Sequence, residues 1–122
     1  MAAAGTGPSA TVLGCVRTLL SPTEAAFLRD ADPFGFILFA RNVETPAQLA
    51  RLTSDLRDAV GRDAPILIDQ EGGRVQRMRA PHWREWLPPL DAITAAADLA
   101  TACRLMALRA SLIAQELRAV GL

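Results

Sequence analysis

Three short apolar segments alternate with two amphipathic segments over the first 69 residues, and this alternation most restricts the fold the chain can adopt. The apolar segments are residues 10–16, 35–40 and 65–69. Each has the length and apolar composition of a buried strand. Parallel strands need a long crossover between them, which an intervening helix supplies. The sequence therefore predicts an α/β fold built from parallel βαβ units.

The first amphipathic segment carries signals for both ends of a helix. Ser21 is followed by proline and then by Glu24, a pattern typical of a capping box, in which the serine oxygen and the glutamate satisfy opposite backbone amides. We therefore predict a helix over residues 22–31. Asp32-Pro33 ends it, because the residue before a proline is displaced from helical geometry.

Two further helices are predicted along the rest of the chain. One begins at Thr45 and ends at Gly61, and its apolar stripe consists of Leu49, Leu52, Leu56 and Val60. Residues 70–91 show no clear hydrophobic periodicity, which predicts a long loop. Long loops in compact domains are often functional. A last helix is predicted over residues 94–120, with Gly121 as its C-terminal glycine. Its predicted core stripe consists of Leu99, Cys103, Met106, Ala110, Ile113 and Leu117.

The composition of the chain argues against several functional classes of protein. The 13 basic residues are all arginine and balance 13 acidic ones, so no net charge favours nucleic acid or an anionic membrane as a partner. Cys15 and Cys103 form no CxxC pair or metal-ligand pattern, and we expect both to be buried. Residues 1–9 are expected to be a flexible leader without a secretory signal, which predicts a reducing, cytoplasmic setting for the domain at residues 10–122.

The segment DQEGGRVQR, residues 69–77, concentrates the polar chemistry. It follows the third predicted strand, at the edge of a parallel sheet where ligands bind. In extended backbone, Asp69 and Glu71 would point to the same side about 7 Å apart, as an acid and base or as a polyol-binding pair. Arg74 and Arg77 would supply planar donors. The alternative is an ordinary loop in which the arginines neutralise the acids in surface pairs.

Other polar and aromatic residues have more than one interpretation. Arg41 follows the second predicted strand at the same edge, and we expect it to pair with Asp69 or Glu71 rather than to contact substrate. Glu71 itself fits either a ligand contact or support of the glycine turn. His82 is expected to have a structural or rim role. The two tryptophans, Trp83 and Trp86, are expected to fix the loop to the sheet rather than to stack on a ligand.

Two linked segments closely resemble the N-terminal barrel region of family 3 glycoside hydrolases, in particular the bacterial β-N-acetylglucosaminidases (β-N-acetylhexosaminidases) of cell-wall recycling. The segments read GFILFARNVETPAQLARLTSDLR and PILIDQEGGRVQRMRAPHW, and the resemblance extends over most of the chain from about Gly35. It implies the first βα units of a TIM-type (β/α)₈ barrel, incomplete in this chain. Such a barrel takes roughly 250 residues.

The resemblance also implies an activity and roles for two residues. The activity is removal of terminal N-acetylglucosamine from muropeptides, with retention of configuration through a covalent intermediate. Asp69 resembles the aspartate that binds hydroxyls of the terminal sugar, and Arg77 resembles the arginine that helps to hold it. The family's nucleophile and acid/base residues have no match here, so the 122-residue chain alone is expected to be inactive. No cofactor, metal or nucleic acid is implied.

Two other functions remain open at this point. One is a different family 3 glycosidase, such as a β-glucosidase-like enzyme. The other is a sugar-binding or interaction module that keeps the first part of the barrel without catalysis. In each case, the candidates for supporting the substrate-binding residues Asp69 and Arg77 are Arg41, Glu71 and Arg74.

Overall fold

Three parallel strands form the centre of the fold, which a computed structural model describes for residues 7–122. The strands are β1 (Ser9–Leu13), β2 (Pro33–Leu38) and β3 (Ile66–Ile68), which lie side by side in that order. Helix α1 (Pro22–Ala31) connects the first two strands, and α2 (Pro46–Val60) connects the second and third. All neighbouring pairs are parallel, which confirms the predicted βαβ units.

Helix α1 occupies the predicted residues, although its capping differs in one respect. The Ser21 hydroxyl accepts a hydrogen bond from the Glu24 amide at 3.2 Å, as expected. The Glu24 carboxylate does not return the bond, because its Oε1 accepts from the amide of Val16 at 2.8 Å. Val16 is therefore held by α1, and the predicted first strand, residues 10–16, is wrong at its C-terminal end.

Helix α2 begins and ends as the sequence predicts. The Thr45 hydroxyl accepts from the Gln48 amide at 3.2 Å, and the chain leaves the helix at Gly61, whose φ is 66°. A positive φ has little steric cost at glycine. Leu49, Leu52 and Leu56 are fully buried, so the predicted stripe is confirmed for these three, and Val60 packs partly buried beside them.

One face of the sheet carries the core. The register pairs Phe36 with Ile66 and Leu38 with Ile68, which places these four side chains on the same face. Phe36 and Leu38 are fully buried together with the α2 leucines and Leu28 of α1. The core is thus the interface between the sheet and its two crossover helices.

The opposite face of the sheet is open in residues 7–122. Val12 of β1 is 44% exposed and Leu67 of β3 is 51% exposed. The continuous apolar run of residues 35–40 predicts a strand covered on both faces, and this prediction is only partly confirmed, because Ile37 on the open face of β2 is half-buried in the described residues. The reason is that α1 and α2 pack into a core with the other face alone.

The predicted loop after β3 contains a small hairpin. Strand β4 (Gln70–Gly72) pairs antiparallel with β5 (Val75–Gln76). The turn between them is Gly73-Arg74, and Gly72 and Gly73 have φ values of 103° and 61°, conformations that other residues rarely adopt. A short helix α3 (Pro89–Thr94) follows, and the prediction of an irregular loop over residues 70–91 was therefore incomplete.

The last helix, α4, spans Leu99–Ala119 and begins five residues later than predicted. Its N-terminus is capped by Asp98, whose carboxylate accepts from the Thr101 amide at 2.7 Å. Gly121 follows with a φ of 84°, in agreement with the prediction. The predicted core stripe is confirmed only in part. Leu117 packs partly buried against the core and Met106 and Ile113 are half-buried, whereas Leu99 is 77% exposed and the buried residues of the helix are Ala102 and Arg109. Alanines occur on every side of this helix, so its sequence does not clearly distinguish the face that packs against the rest of the chain.

Residues 1–6 of the predicted leader lie outside the described residues, and Ser9, its last residue, already belongs to β1. Within residues 7–122, no helix combines the length and the apolar character that crossing a membrane requires.

Candidate functional site

Asp69 and Arg77 are brought together at the C-terminal end of β3. Asp69 lies directly between β3 and β4, and Arg77 directly follows β5. Nη2 of Arg77 donates to Oδ2 of Asp69 at 3.0 Å. The Asp69 side chain is 40% exposed and that of Arg77 is 26% exposed. The pair is therefore held in place and still accessible from solvent.

The pair keeps unused hydrogen-bonding capacity. A carboxylate can accept about four hydrogen bonds and a guanidinium can donate five, while a single contact joins the two groups here. Nε of Arg77 is buried and finds no partner among the described residues. Acceptors beside fixed planar donors are a combination that binds the vicinal hydroxyls of a sugar.

Gln70, which sequence reasoning missed, connects the two halves of the pair. Its Oε1 accepts from the backbone amides of Arg77 and Met78, both at 3.0 Å. Its Nε2 donates to the Met78 carbonyl at 2.8 Å. These bonds join the residue next to Asp69 to the backbone of Arg77.

Gln76, on the other strand of the hairpin, organises the far side of the loop. Its Nε2 donates to the carbonyls of Met78 and Arg84 at 2.8 and 2.7 Å, and its Oε1 accepts from the Trp86 amide at 3.0 Å. The side chain is only 2% exposed. A polar residue facing inward on a two-residue strand has no periodicity by which sequence reasoning could identify it.

Arg109 fixes the hairpin to α4. Its Nη2 donates to the carbonyls of Glu71 and Leu87, and its guanidinium lies 5.4 Å from the centre of the Trp86 ring. A Cβ at Gly72 would collide with both Nη2 of Arg109 and the Leu87 carbonyl. Glycine is therefore needed there for close packing as well as for the turn.

Arg41 does not pair with Asp69 or Glu71, and the prediction that it does is wrong. Its Nε donates to the Cys15 carbonyl at 3.3 Å, and its guanidinium lies 4.8 Å from the Phe39 ring centre. The reason is the short 3-10 turn after β2, Ala40–Asn42, which directs Arg41 toward the segment after β1. Asp69 has Arg77 as its partner instead.

The other two supporting candidates are exposed. The side chain of Glu71 points away from the buried side of the hairpin, and only its backbone carbonyl takes part, as an acceptor for Arg109. Arg74 is exposed at the turn. Neither residue is brought to the Asp69–Arg77 contact in the way the sequence alone suggested.

The aromatic residues of the loop agree with the structural interpretation. Trp83 is buried in the core cluster, and Trp86 is half-buried under Arg109. His82 is exposed, with its ring edge-on to Trp83 at 5.7 Å between centroids. The tryptophans therefore fix the loop to the sheet and to α4.

The cysteines differ from each other. Cys15 is buried as predicted, whereas Cys103 is exposed, which corrects the expectation that both are buried. Burial raises the pKa of the Cys15 thiol to about 11, and the nearby Glu24 charge acts in the same direction. Cys103 is exposed because it is not on the side of α4 that carries the buried residues Ala102 and Arg109.

A groove of about 510 Å³ lies away from this pair, between the segment after β1 and α1. Its lining includes Val16, Leu19 and Phe27. Of its polar lining residues, Ser21 and Glu24 already bond backbone amides with their side chains. The unused hydrogen-bonding capacity of Asp69 and Arg77 makes their edge of the sheet the better candidate.

Curated bacterial proteins are similar to the chain. A beta-hexosaminidase of Xylella fastidiosa (strain 9a5c) is 39% identical over 112 residues, which are 90% of this chain and 33% of the relative. A beta-hexosaminidase of Pseudomonas aeruginosa (strain LESB58) is 41% identical over 105 residues, 86% of this chain and 30% of the relative. The chain thus spans about a third of the length of the curated relatives it matches. No protein-family model matches it.

Solved structures agree with these relatives. Native NagZ from Neisseria gonorrhoeae matches 95% of this chain, and 35% of its own, with a TM-score of 0.80 and 29% identity. A glycoside hydrolase family 3 beta-N-acetylglucosaminidase from Paenibacillus sp. str. FPU-7 matches 92% of this chain and 21% of its own, with a TM-score of 0.77 and 30% identity. The resemblance inferred from the sequence is therefore confirmed.

Proposed function

We propose that the chain is part of a family 3 glycoside hydrolase, a β-N-acetylhexosaminidase that removes terminal N-acetylglucosamine from its substrate. The observation that carries this proposal is the Arg77–Asp69 contact of 3.0 Å at the C-terminal end of β3, in a chain about 40% identical to beta-hexosaminidases. In this proposal Asp69 accepts hydrogen bonds from hydroxyls of the non-reducing terminal sugar. Arg77 donates to the sugar and holds the Asp69 carboxylate in place through the hydrogen bond between them.

The sheet fits a (β/α)₈ barrel as the complete architecture. Strands β1, β2 and β3 are parallel, adjacent in chain order and separated by helices, as consecutive barrel units are. In a barrel, the open face with Val12 and Leu67 would turn toward the interior, where apolar side chains from several strands fill the centre. The pair at residues 69 and 77 would then lie on the catalytic face.

The proposal assigns sugar binding, and not bond cleavage, to residues 1–122. We place the carboxylate nucleophile and the acid/base group of a retaining mechanism elsewhere in the barrel. Fixing the ring of the terminal sugar contributes to catalysis because an oriented bond reacts faster than a mobile one. No step of this assignment uses a metal or cofactor.

We further propose an amino-sugar substrate of the muropeptide type and a cytoplasmic location. One solved relative, NagZ from Neisseria gonorrhoeae, is described in complex with N-trifluoroacetyl-D-glucosamine, which supports an amino sugar. Both cysteines are free thiols, which suits a reducing compartment.

Kinetics of the gene product that contains these residues tests the proposal. Asp69→Ala is expected to lower kcat/KM for p-nitrophenyl N-acetyl-β-D-glucosaminide by roughly 100-fold or more, because hydroxyl contacts stabilise both the bound sugar and the transition state. Asp63→Ala is the matched control, since Asp63 also pairs with an arginine, Arg57, at 2.8 Å but lies on the surface. Unchanged kinetics in Asp69→Ala would reject the sugar-binding role.

The same assay separates the alternatives. Faster release from p-nitrophenyl β-D-glucoside than from the N-acetyl substrate would favour a β-glucosidase. Sugar binding without turnover of either substrate would favour a non-catalytic module.

A further inference from the structure

The placement of Arg77 beside Asp69 depends on very few backbone contacts. The hairpin ladder pairs Gln70 with Gln76 and Gly72 with Val75, and its register is irregular between these pairs. Arg77 lies just beyond the end of β5, outside the ladder. Its backbone must therefore be held by something other than regular strand pairing.

The carboxamide of Gln70 supplies that missing contact. Its Oε1 accepts from the amides of Arg77 and Met78, and its Nε2 donates to the Met78 carbonyl. Two of its partners are N–H donors and the third is a carbonyl, so only one orientation of the carboxamide satisfies all three. The Gln70 residue is 8% exposed, and water has little access to replace these bonds.

We propose that Gln70 is a positioning residue that holds Arg77 against Asp69 for sugar binding, an inference that rests on the proposed function. Gln70 follows Asp69 directly in the chain, so its side chain fixes the distance between the two backbones that carry the pair. A displacement of about 1 Å at a binding group can reduce a rate by about 100-fold. The role is exerted through Arg77, and Gln70 itself does not contact the sugar.

A double-mutant cycle with Gln70→Met and Arg77→Met tests this role in the gene product. Methionine keeps the volume and removes the hydrogen bonds. We expect Gln70→Met to lower kcat/KM for p-nitrophenyl N-acetyl-β-D-glucosaminide by roughly 10- to 100-fold when Arg77 is present. In the Arg77→Met background the same substitution should have less than a twofold effect, because there is no guanidinium left to place.

Gln76→Met provides the matched control. Gln76 is also buried on the hairpin and also bonds the Met78 carbonyl, but its other partners are Arg84 and Trp86 rather than Arg77. Any effect that it has through general loosening of the loop should be the same in both backgrounds.

Gln70→Glu gives a second test that does not depend on the methionine variant folding. A protonated carboxyl can accept from the two amides and donate to the Met78 carbonyl, whereas the ionised form places a charged oxygen against that carbonyl. The kcat/KM of this variant relative to wild type is therefore expected to rise as the pH falls from about 8 to about 5, since burial raises the pKa of a carboxyl. A flat ratio would contradict the inference.

The outcomes separate this inference from the proposed function. If Arg77→Met and Asp69→Ala both keep wild-type kinetics, the sugar-binding role fails, and the role of Gln70 fails with it. If Arg77→Met loses activity but Gln70→Met has the same fold effect in both backgrounds, only the positioning role is overturned.

Discussion

The helix-covered core and the hairpin segment, residues 69–88, are ordered by different kinds of contact. The core consists of apolar side chains such as Phe36, Leu38 and Leu52, all fully buried between sheet and helices. The hairpin segment contributes Met78 and Trp83 to that core, but its own backbone is ordered by polar side chains that bond to backbone groups, chiefly those of Gln70, Gln76 and Arg109. Apolar contacts are non-directional and tolerate small shifts, whereas hydrogen bonds fix atoms relative to each other. The candidate site lies in the region that is ordered by directional bonds.

The largest effect that the comparison predicts is in the core. Phe36→Ala should reduce the free energy of unfolding by about 3–5 kcal/mol, because it removes a fully buried aromatic side chain and leaves a cavity. Phe34→Ala, two residues earlier on the same strand, should change it by about 0.5 kcal/mol or less, since Phe34 is 56% exposed. Urea unfolding of the purified protein measures both. Equal losses would contradict the assignment of Phe36, and not of Phe34, to the buried core.

A smaller effect is expected where α4 meets the hairpin segment. Arg109→Met should reduce the free energy of unfolding by about 1.5–3 kcal/mol, because the carbonyls of Glu71 and Leu87 lose a charged donor. Arg104→Met is the control on the same helix, since Arg104 is exposed and its side chain bonds, within residues 7–122, only the nearby Thr101 hydroxyl. Thermal unfolding should show a clear drop in Tm for the first variant alone. A drop of the same size in both variants would contradict the role given to Arg109.

The smallest predicted difference is chemical and concerns the two thiols. At pH 8, Ellman's reagent should react with Cys103 in the folded protein and with Cys15 only after unfolding, because burial raises the Cys15 pKa to about 11. The folded-state pKa lies above the unfolded value, so this thiol stabilises the fold below about pH 9, and that contribution is lost as the pH rises toward 11. The variants Cys15→Ser and Cys103→Ser identify the reacting thiol. Rapid reaction at Cys15 in the folded protein would contradict its burial.

The same contrast explains how far the sequence could predict the structure. Helices α1 and α2 were predicted almost to the residue, because Ser21, Thr45 and Gly61 are local signals whose partners lie within one helical turn. The packed face of α4 was predicted only in part: Leu117 does pack against the core, but Arg109 is held by carbonyls that lie more than 20 residues away in the chain.

The candidate site was also predictable only in part, because some of its contacts join residues that are distant in the chain. Asp69 and Arg77 could be identified through a resemblance and by their position after a strand, and the structure places them in contact. The partner of Arg41 could not be identified, because it depends on a three-residue 3-10 turn that redirects the side chain toward Cys15. The role of Gln70 was missed since the hairpin that contains it is too short to have a period.

A crystal structure of the complete gene product with bound N-acetylglucosamine tests the central claim most directly. We expect the Asp69 carboxylate to lie about 2.5–3.0 Å from a hydroxyl oxygen of the sugar, with Arg77 still beside it. A sugar bound elsewhere on the barrel, with the Asp69 carboxylate out of hydrogen-bonding range of its hydroxyls, would contradict the account.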